Sequence, residues 1–88
     1  MNKLNNLKKK LLYRASYRGT KEMDILLGDF VNYYIDKFNE DELNSLNSFL
    51  NLEDEIIYSL YNNSISTENI KEKKIANLLK NFRIYSME

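Results

Sequence analysis

Residues 20–38 read Thr20-Lys21-Glu22-Met23-Asp24-Ile25-Leu26-Leu27-Gly28-Asp29-Phe30-Val31-Asn32-Tyr33-Tyr34-Ile35-Asp36-Lys37-Phe38. Met23, Leu26, Leu27, Phe30, Val31, Tyr34, Ile35 and Phe38 recur at steps of three and four, the spacing of one face of an α-helix. Thr20 stands where an N-cap belongs. Glu22 and Asp24 fall in the first turn, where the helix dipole favours negative charge. Gly28 sits in mid-helix, where glycine costs about 1 kcal/mol against alanine. Close approach of a second helix would explain why it is tolerated there. This helix is the expected centre of the core.

On its N-terminal side, Leu4, Leu7, Leu11, Leu12 and Ala15 form the apolar stripe of a first helix. The stripe ends near Tyr17, and Gly19 follows as a stop signal. On its C-terminal side, Asn39-Glu40-Asp41-Glu42 opens a third helix, with Asn39 as N-cap and Glu42 as the capping-box partner. Leu43, Leu46, Phe49 and Leu50 are its stripe. Asn51 to Asp54 read as a turn into a short fourth helix whose apolar residues are Ile56, Ile57, Leu60 and Tyr61. Asn62 to Ser66 form a loop, and Thr67 is the expected cap of a fifth helix bearing Ile75, Leu78, Leu79 and Phe82. There is no proline, glycine occurs twice, and no strand-like alternation persists. The expected fold is all-α: residues 1–88 as a single domain, a compact bundle of about five short helices.

Composition removes several kinds of chemistry. A chain of 88 residues has a thin core, with little room for a deep water-excluded active site. There is no cysteine, hence no disulfide framework and no thiolate site. There is no histidine, the commonest acid–base residue and metal ligand. No catalytic residue and no metal site are expected, and an enzyme is the least favoured class. No apolar run is long enough to cross a bilayer. The opening residues, Met1 to Lys8, are polar and rich in Lys and Asn, unlike a secretory signal or an Arg- and Ser-rich transit peptide. These features lead to the expectation of a bacterial cytoplasmic protein, monomeric and without membrane insertion.

Net charge is zero, but charge is unevenly placed. Residues 1–21 carry Lys3, Lys8, Lys9, Lys10, Arg14, Arg18 and Lys21 and no acid. Residues 22–55 carry ten acids and only Lys37 as a base. Either the first helix meets an anionic partner, or it lies against the acidic middle of its own chain; the second reading is preferred for a neutral domain. The clusters Glu40-Asp41-Glu42 and Glu53-Asp54-Glu55 are read as helix starts, since neither fits a calcium loop. Tyr13 and Tyr17 interleave with the basic residues, as in a stacking platform for nucleic acid. No nucleic-acid signature accompanies them, and nucleic acid is not among the expected partners. Tyr33 and Tyr58 fall off the apolar stripes and are expected at the surface, where aromatic residues favour interfaces.

The segment Arg14-Ala15-Ser16-Tyr17-Arg18-Gly19-Thr20-Lys21-Glu22 spans the first interhelical turn. It reads either as a plain glycine stop or as a docking patch. In the docking reading, Arg18 offers a planar fork, Gly19 admits a close backbone and Glu22 adds a carboxylate.

With Leu11-Leu12-Tyr13-Arg14 before it and Met23-Asp24, then Leu26-Leu27-Gly28-Asp29-Phe30, after it, this segment resembles the flavinator family, also called succinate dehydrogenase assembly factor 2. Members are short, all-helical proteins with an Arg-Gly-x-x-Glu signature at the first interhelical turn. Arg18, Gly19 and Glu22 fill those places, Asp24 matches the acid that commonly follows, and Glu40-Asp41-Glu42-Leu43 fits the start of the third helix. The resemblance runs from about Leu11 to Leu60. Three positions depart from it: Leu60 where the family often has tryptophan, Glu55 where it often has proline, and Tyr17 where many members have a second arginine. The first two bear on C-terminal packing, the third on the charge of the patch.

The resemblance implies an assembly factor that binds the flavoprotein subunit of succinate dehydrogenase, and sometimes of fumarate reductase. It would promote covalent attachment of FAD to a histidine of that subunit. The implied partner-binding residues are Arg18, Gly19, Glu22 and Asp24, with Arg14 and Tyr17 beside them. FAD belongs to the partner. This chain has no Gly-x-Gly-x-x-Gly and is too short for a dinucleotide fold, so it is not expected to bind FAD stably by itself. The rival readings are a helical interaction module with an unrelated partner and a nucleic-acid binder using the basic first helix.

Overall fold

The computed structural model of the chain describes residues 3–82. Gly19 takes φ +129°, a backbone conformation that side chains rarely permit. Around it α1 (Lys3–Ser16) ends and α2 (Lys21–Tyr34) begins. Thr20 caps α2, its side chain accepting from the Met23 N–H at 3.3 Å. Next come α3 (Glu40–Phe49), α4 (Asp54–Tyr61) and α5 (Lys73–Lys80), with no strand among the described residues. The capping box at α3 is complete. Asn39 Oδ1 accepts from the Glu42 N–H, and Glu42 Oε1 accepts from the Asn39 N–H, each at 2.8 Å.

α2 supplies more buried positions than any other helix: Met23, Leu26, Leu27, Phe30 and Val31. α1 lies against α2 and α3, and α5 lies against α3 and α4. Gly28 marks one close approach. A Cβ there would stand 3.2 Å from Ser16 Oγ, tighter than ordinary contact, so the end of α1 explains the mid-helix glycine. Ile57, Leu60, Ile75, Ala76 and Leu79 join the same core. Of the two departures that bear on C-terminal packing, Leu60 is fully buried in the core and Glu55 is exposed. The radius of gyration is 12.3 Å, against about 12 Å for a compact chain of this length.

Three local expectations need correction. The apolar period of α2 runs to Phe38, but the helix stops at Tyr34. A turn then carries Ile35 and Phe38 into the core, with the Phe38 N–H donating to Tyr34 O at 3.1 Å. Ile56 was assigned to the apolar side of α4 yet lies at the surface. Adjacent residues on a helix point about 100° apart, so an eight-residue helix that buries Ile57 and Leu60 turns Ile56 outward. Thr67 does not cap α5, which begins at Lys73 with Glu72 as an N-cap that makes no side-chain capping bond. Thr67 is buried instead, and its hydroxyl donates to Asn77 Oδ1 at 3.0 Å. Tyr33 and Tyr58 are exposed, as their positions off the stripes require.

Candidate functional site

The α1–α2 corner is built by bonds that come from far along the chain. Arg18 is the centre of them. Its Nε donates to Asp54 Oδ1 at 2.8 Å, Nη1 to Leu50 O at 2.7 Å and Nη2 to Leu52 O at 2.8 Å. Arg14, one turn earlier, donates through Nη1 to Asn47 Oδ1 and to Asn47 O at 3.1 Å, and through Nη2 to Asn51 Oδ1 at 2.6 Å. Both arginines therefore grip the C-terminal end of α3 and the turn after it. That end has no basic residue of its own in its last turn. A helix C-terminus carries unpaired carbonyls and partial negative charge, and the two guanidiniums answer both.

Asp24 works from the other side of the corner. Its Oδ1 accepts from the backbone N–H of Arg18 and from that of Gly19, the latter at 3.2 Å. Two backbone N–H donors of the turn are thereby satisfied, and the turn is fixed in one shape. Nothing stands within 4 Å of where a Cβ on Gly19 would be, so its outer face is open space. Glu22 is exposed and makes no hydrogen bond or ion pair within the described residues.

The six residues singled out from the sequence thus lie together at one corner but divide by direction. Arg14, Arg18 and Asp24 face inward and hold the turn; Tyr17, Gly19 and Glu22 face solvent. The outward fork expected of Arg18 is corrected: its side chain is 11% exposed and all three nitrogens donate within the chain. Arg14 is engaged in the same way, and Lys8 pairs with Asp36 at 3.1 Å. The preferred reading of the charge asymmetry holds for these residues, since Lys8 and Arg18 pair with acids of the chain's middle.

Beside this corner lies an open cleft of about 580 Å³. Tyr13, Arg14, Tyr17 and Arg18 line it from α1 and the turn, and Glu53, Asp54 and Glu55 line it from the start of α4. The two tyrosine rings lie 4.6 Å apart, centroid to centroid, and are 66% and 68% exposed. The sequence marked Tyr17 for its place just before the signature, but nothing in it signalled that α4 would border the same cleft. Among the described residues no cluster of acidic side chains could hold a metal ion. No helix among them is long and apolar enough to cross a membrane.

Residues 9–83 match the family described as the flavinator of succinate dehydrogenase. A relative from Caenorhabditis elegans, named succinate dehydrogenase assembly factor 2, mitochondrial, is 31% identical over 83 residues, which is 91% of this chain and 70% of the relative. The protein of the same name from Saccharomyces cerevisiae (strain ATCC 204508 / S288c) is 34% identical over 70 residues, 80% of this chain and 43% of its own length. That from Dictyostelium discoideum is 37% identical over 59 residues, 67% of this chain and 42% of the relative. No solved structure matches the chain. These relatives carry mitochondrial names, and that overturns the expectation of a cytoplasmic protein. The expectation rested on the polar make-up of the first residues, and the chain spans well under half of the yeast and Dictyostelium relatives.

Proposed function

The chain belongs to the family of flavinators of succinate dehydrogenase, and from that premise we propose that it is an assembly factor for that enzyme. It binds the flavoprotein subunit and promotes covalent attachment of FAD to it. A fumarate reductase flavoprotein, if present, is a second client of the same kind. The observation that carries this reading is the family match over residues 9–83, within which the braced corner lies. The bond-forming chemistry resides in the partner, and FAD is the partner's cofactor.

The geometry supports a specific manner of action. A turn held on one side by Arg18 and on the other by Asp24 meets its partner already in shape, so little ordering entropy is lost on docking. Gly19 lets the partner's backbone come close, and Glu22 offers a carboxylate that no group among the described residues has claimed. Arg14, Arg18 and Asp24 act through the turn that they fix. Docking at the FAD-binding region favours the partner conformation in which its histidine and the flavin ring are aligned. This requires tighter binding to that conformation than to the others.

The test is co-expression with the succinate dehydrogenase flavoprotein subunit in cells that lack their own assembly factor. Covalent flavin is read as fluorescence of the denatured subunit on a gel. The wild-type chain raises that fluorescence. Glu22→Gln lowers it severalfold while leaving stability within about 1 kcal/mol, since an exposed carboxylate in the first turn of a helix gives up only its interaction with the dipole. Unchanged flavin with a folded, expressed wild-type chain overturns the reading and leaves a helical module with an unrelated partner.

A further inference from the structure

The cleft beside the corner contains side chains that the fold does not need in that position. Tyr13 and Tyr17 pack against each other with ring centroids 4.6 Å apart and planes tilted by 35°, but leave about two-thirds of their surface in water. Both are more exposed than the other tyrosines among the described residues, from Tyr33 and Tyr58 at 54% and 49% to the half-buried Tyr34 and Tyr61. Across the cleft, Asp54 is matched by Arg18, whereas Glu53 and Glu55 are exposed and their carboxylates make no ion pair or hydrogen bond among the described residues. Three carboxylates against two guanidiniums leave the lining net negative, and both guanidiniums already donate to oxygens of their own chain. Acids at a helix start serve the dipole wherever they occur. The dipole does not account for a tyrosine pair held out beside them. The two features together describe a seat for a cation with a flat face. A planar guanidinium can stack on an aromatic ring and give a carboxylate two parallel hydrogen bonds, which an ammonium cannot do.

We propose that this cleft receives an arginine side chain of the flavoprotein partner, stacked on the Tyr13–Tyr17 pair and bound by Glu53 and Glu55. The inference rests on the assembly-factor reading and adds to it a second point of attachment, in a cleft that Glu22 does not line.

The experiment is titration calorimetry of the purified chain with the purified flavoprotein subunit at low and at moderate salt. The variants are Tyr17→Ala, Tyr17→Phe and the double change Glu53→Gln with Glu55→Gln. All three positions are exposed, and circular dichroism melts verify that folding is kept. The expected result is about tenfold weaker binding for Tyr17→Ala and for the double variant, with Tyr17→Phe within about twofold of wild type. The double variant also loses part of the salt dependence. Weakening by Tyr17→Ala alone means an apolar occupant and overturns the inference. Weakening by the carboxylate change alone means charge attraction without a seat and overturns it too. Wild-type affinity in every variant overturns it while the assembly reading stands. A wild-type chain that does not bind the flavoprotein at all removes both.

Discussion

The α1–α2 corner and the start of α5 are both junctions where a helix is tied to α3, and they are tied in opposite ways. At the corner the most sheltered tie is the Arg18 guanidinium, which reaches two backbone carbonyls and a carboxylate. At α5 the ties lie nearer the surface: Ser48 Oγ donates to Glu72, and Lys74 donates to Glu42 from a side chain that is 67% exposed. Exposed pairs are worth little and are screened by salt, whereas charge-assisted bonds shielded from water persist. The corner is therefore expected to be the rigid element of the molecule and the α5 junction the yielding one. Rigidity sits where the docking surface is proposed.

The hardest blow to this contrast is Arg18→Ala. It leaves Leu50 O, Leu52 O and Asp54 without their donor and is expected to destabilise the fold by about 2–3 kcal/mol in urea denaturation. For a domain of this size the whole stability is about 4–13 kcal/mol, so this is a large part of it. A loss under about 0.5 kcal/mol would mean that the brace is ornamental and the comparison is wrong. Next is Gly19→Ala. Space is open around it, but φ +129° is strained for alanine, with an expected loss of about 1–2 kcal/mol by the same measurement.

At the yielding end, Thr67→Val keeps the shape of the side chain and removes the bond to Asn77. We expect a loss of about 1 kcal/mol and faster amide exchange confined to α5. Exchange that rises equally at the corner would show that the two junctions are one cooperative unit. The smallest effect is set by pH. The Lys74 hydrogen bond first, and the Asn39 backbone N–H second, hold the Glu42 carboxyl below its usual range. A lowered folded-state pKa contributes stability above the ordinary glutamate range of about 4.3, and this stability is lost as pH falls through the lowered value. Glu42→Gln should flatten that part of the acid limb in melts recorded against pH, and added salt should weaken the wild-type effect. An unchanged profile in the variant would assign the acid sensitivity elsewhere.

Much of this was legible in the chain itself. Apolar residues at steps of three and four fixed five helices, because a helix needs one buried face and leaves that period behind. Gly19, Thr20, Asn39 and Glu42 announced where helices stop and start, because capping is a bond between residues three apart. The signature residues could be picked out and placed at one turn. What tertiary structure alone decided is direction. Arg18 reads as an outward fork until Leu50, Leu52 and Asp54, more than thirty residues later, are brought within its reach. Thr67 reads as a cap until burial against Asn77 takes its hydroxyl. The cleft exists only because α4 is folded next to α1. A local pattern fixes the local conformation, but a polar side chain bonds to whatever the packed chain brings nearest, and sequence spacing carries no measure of that distance.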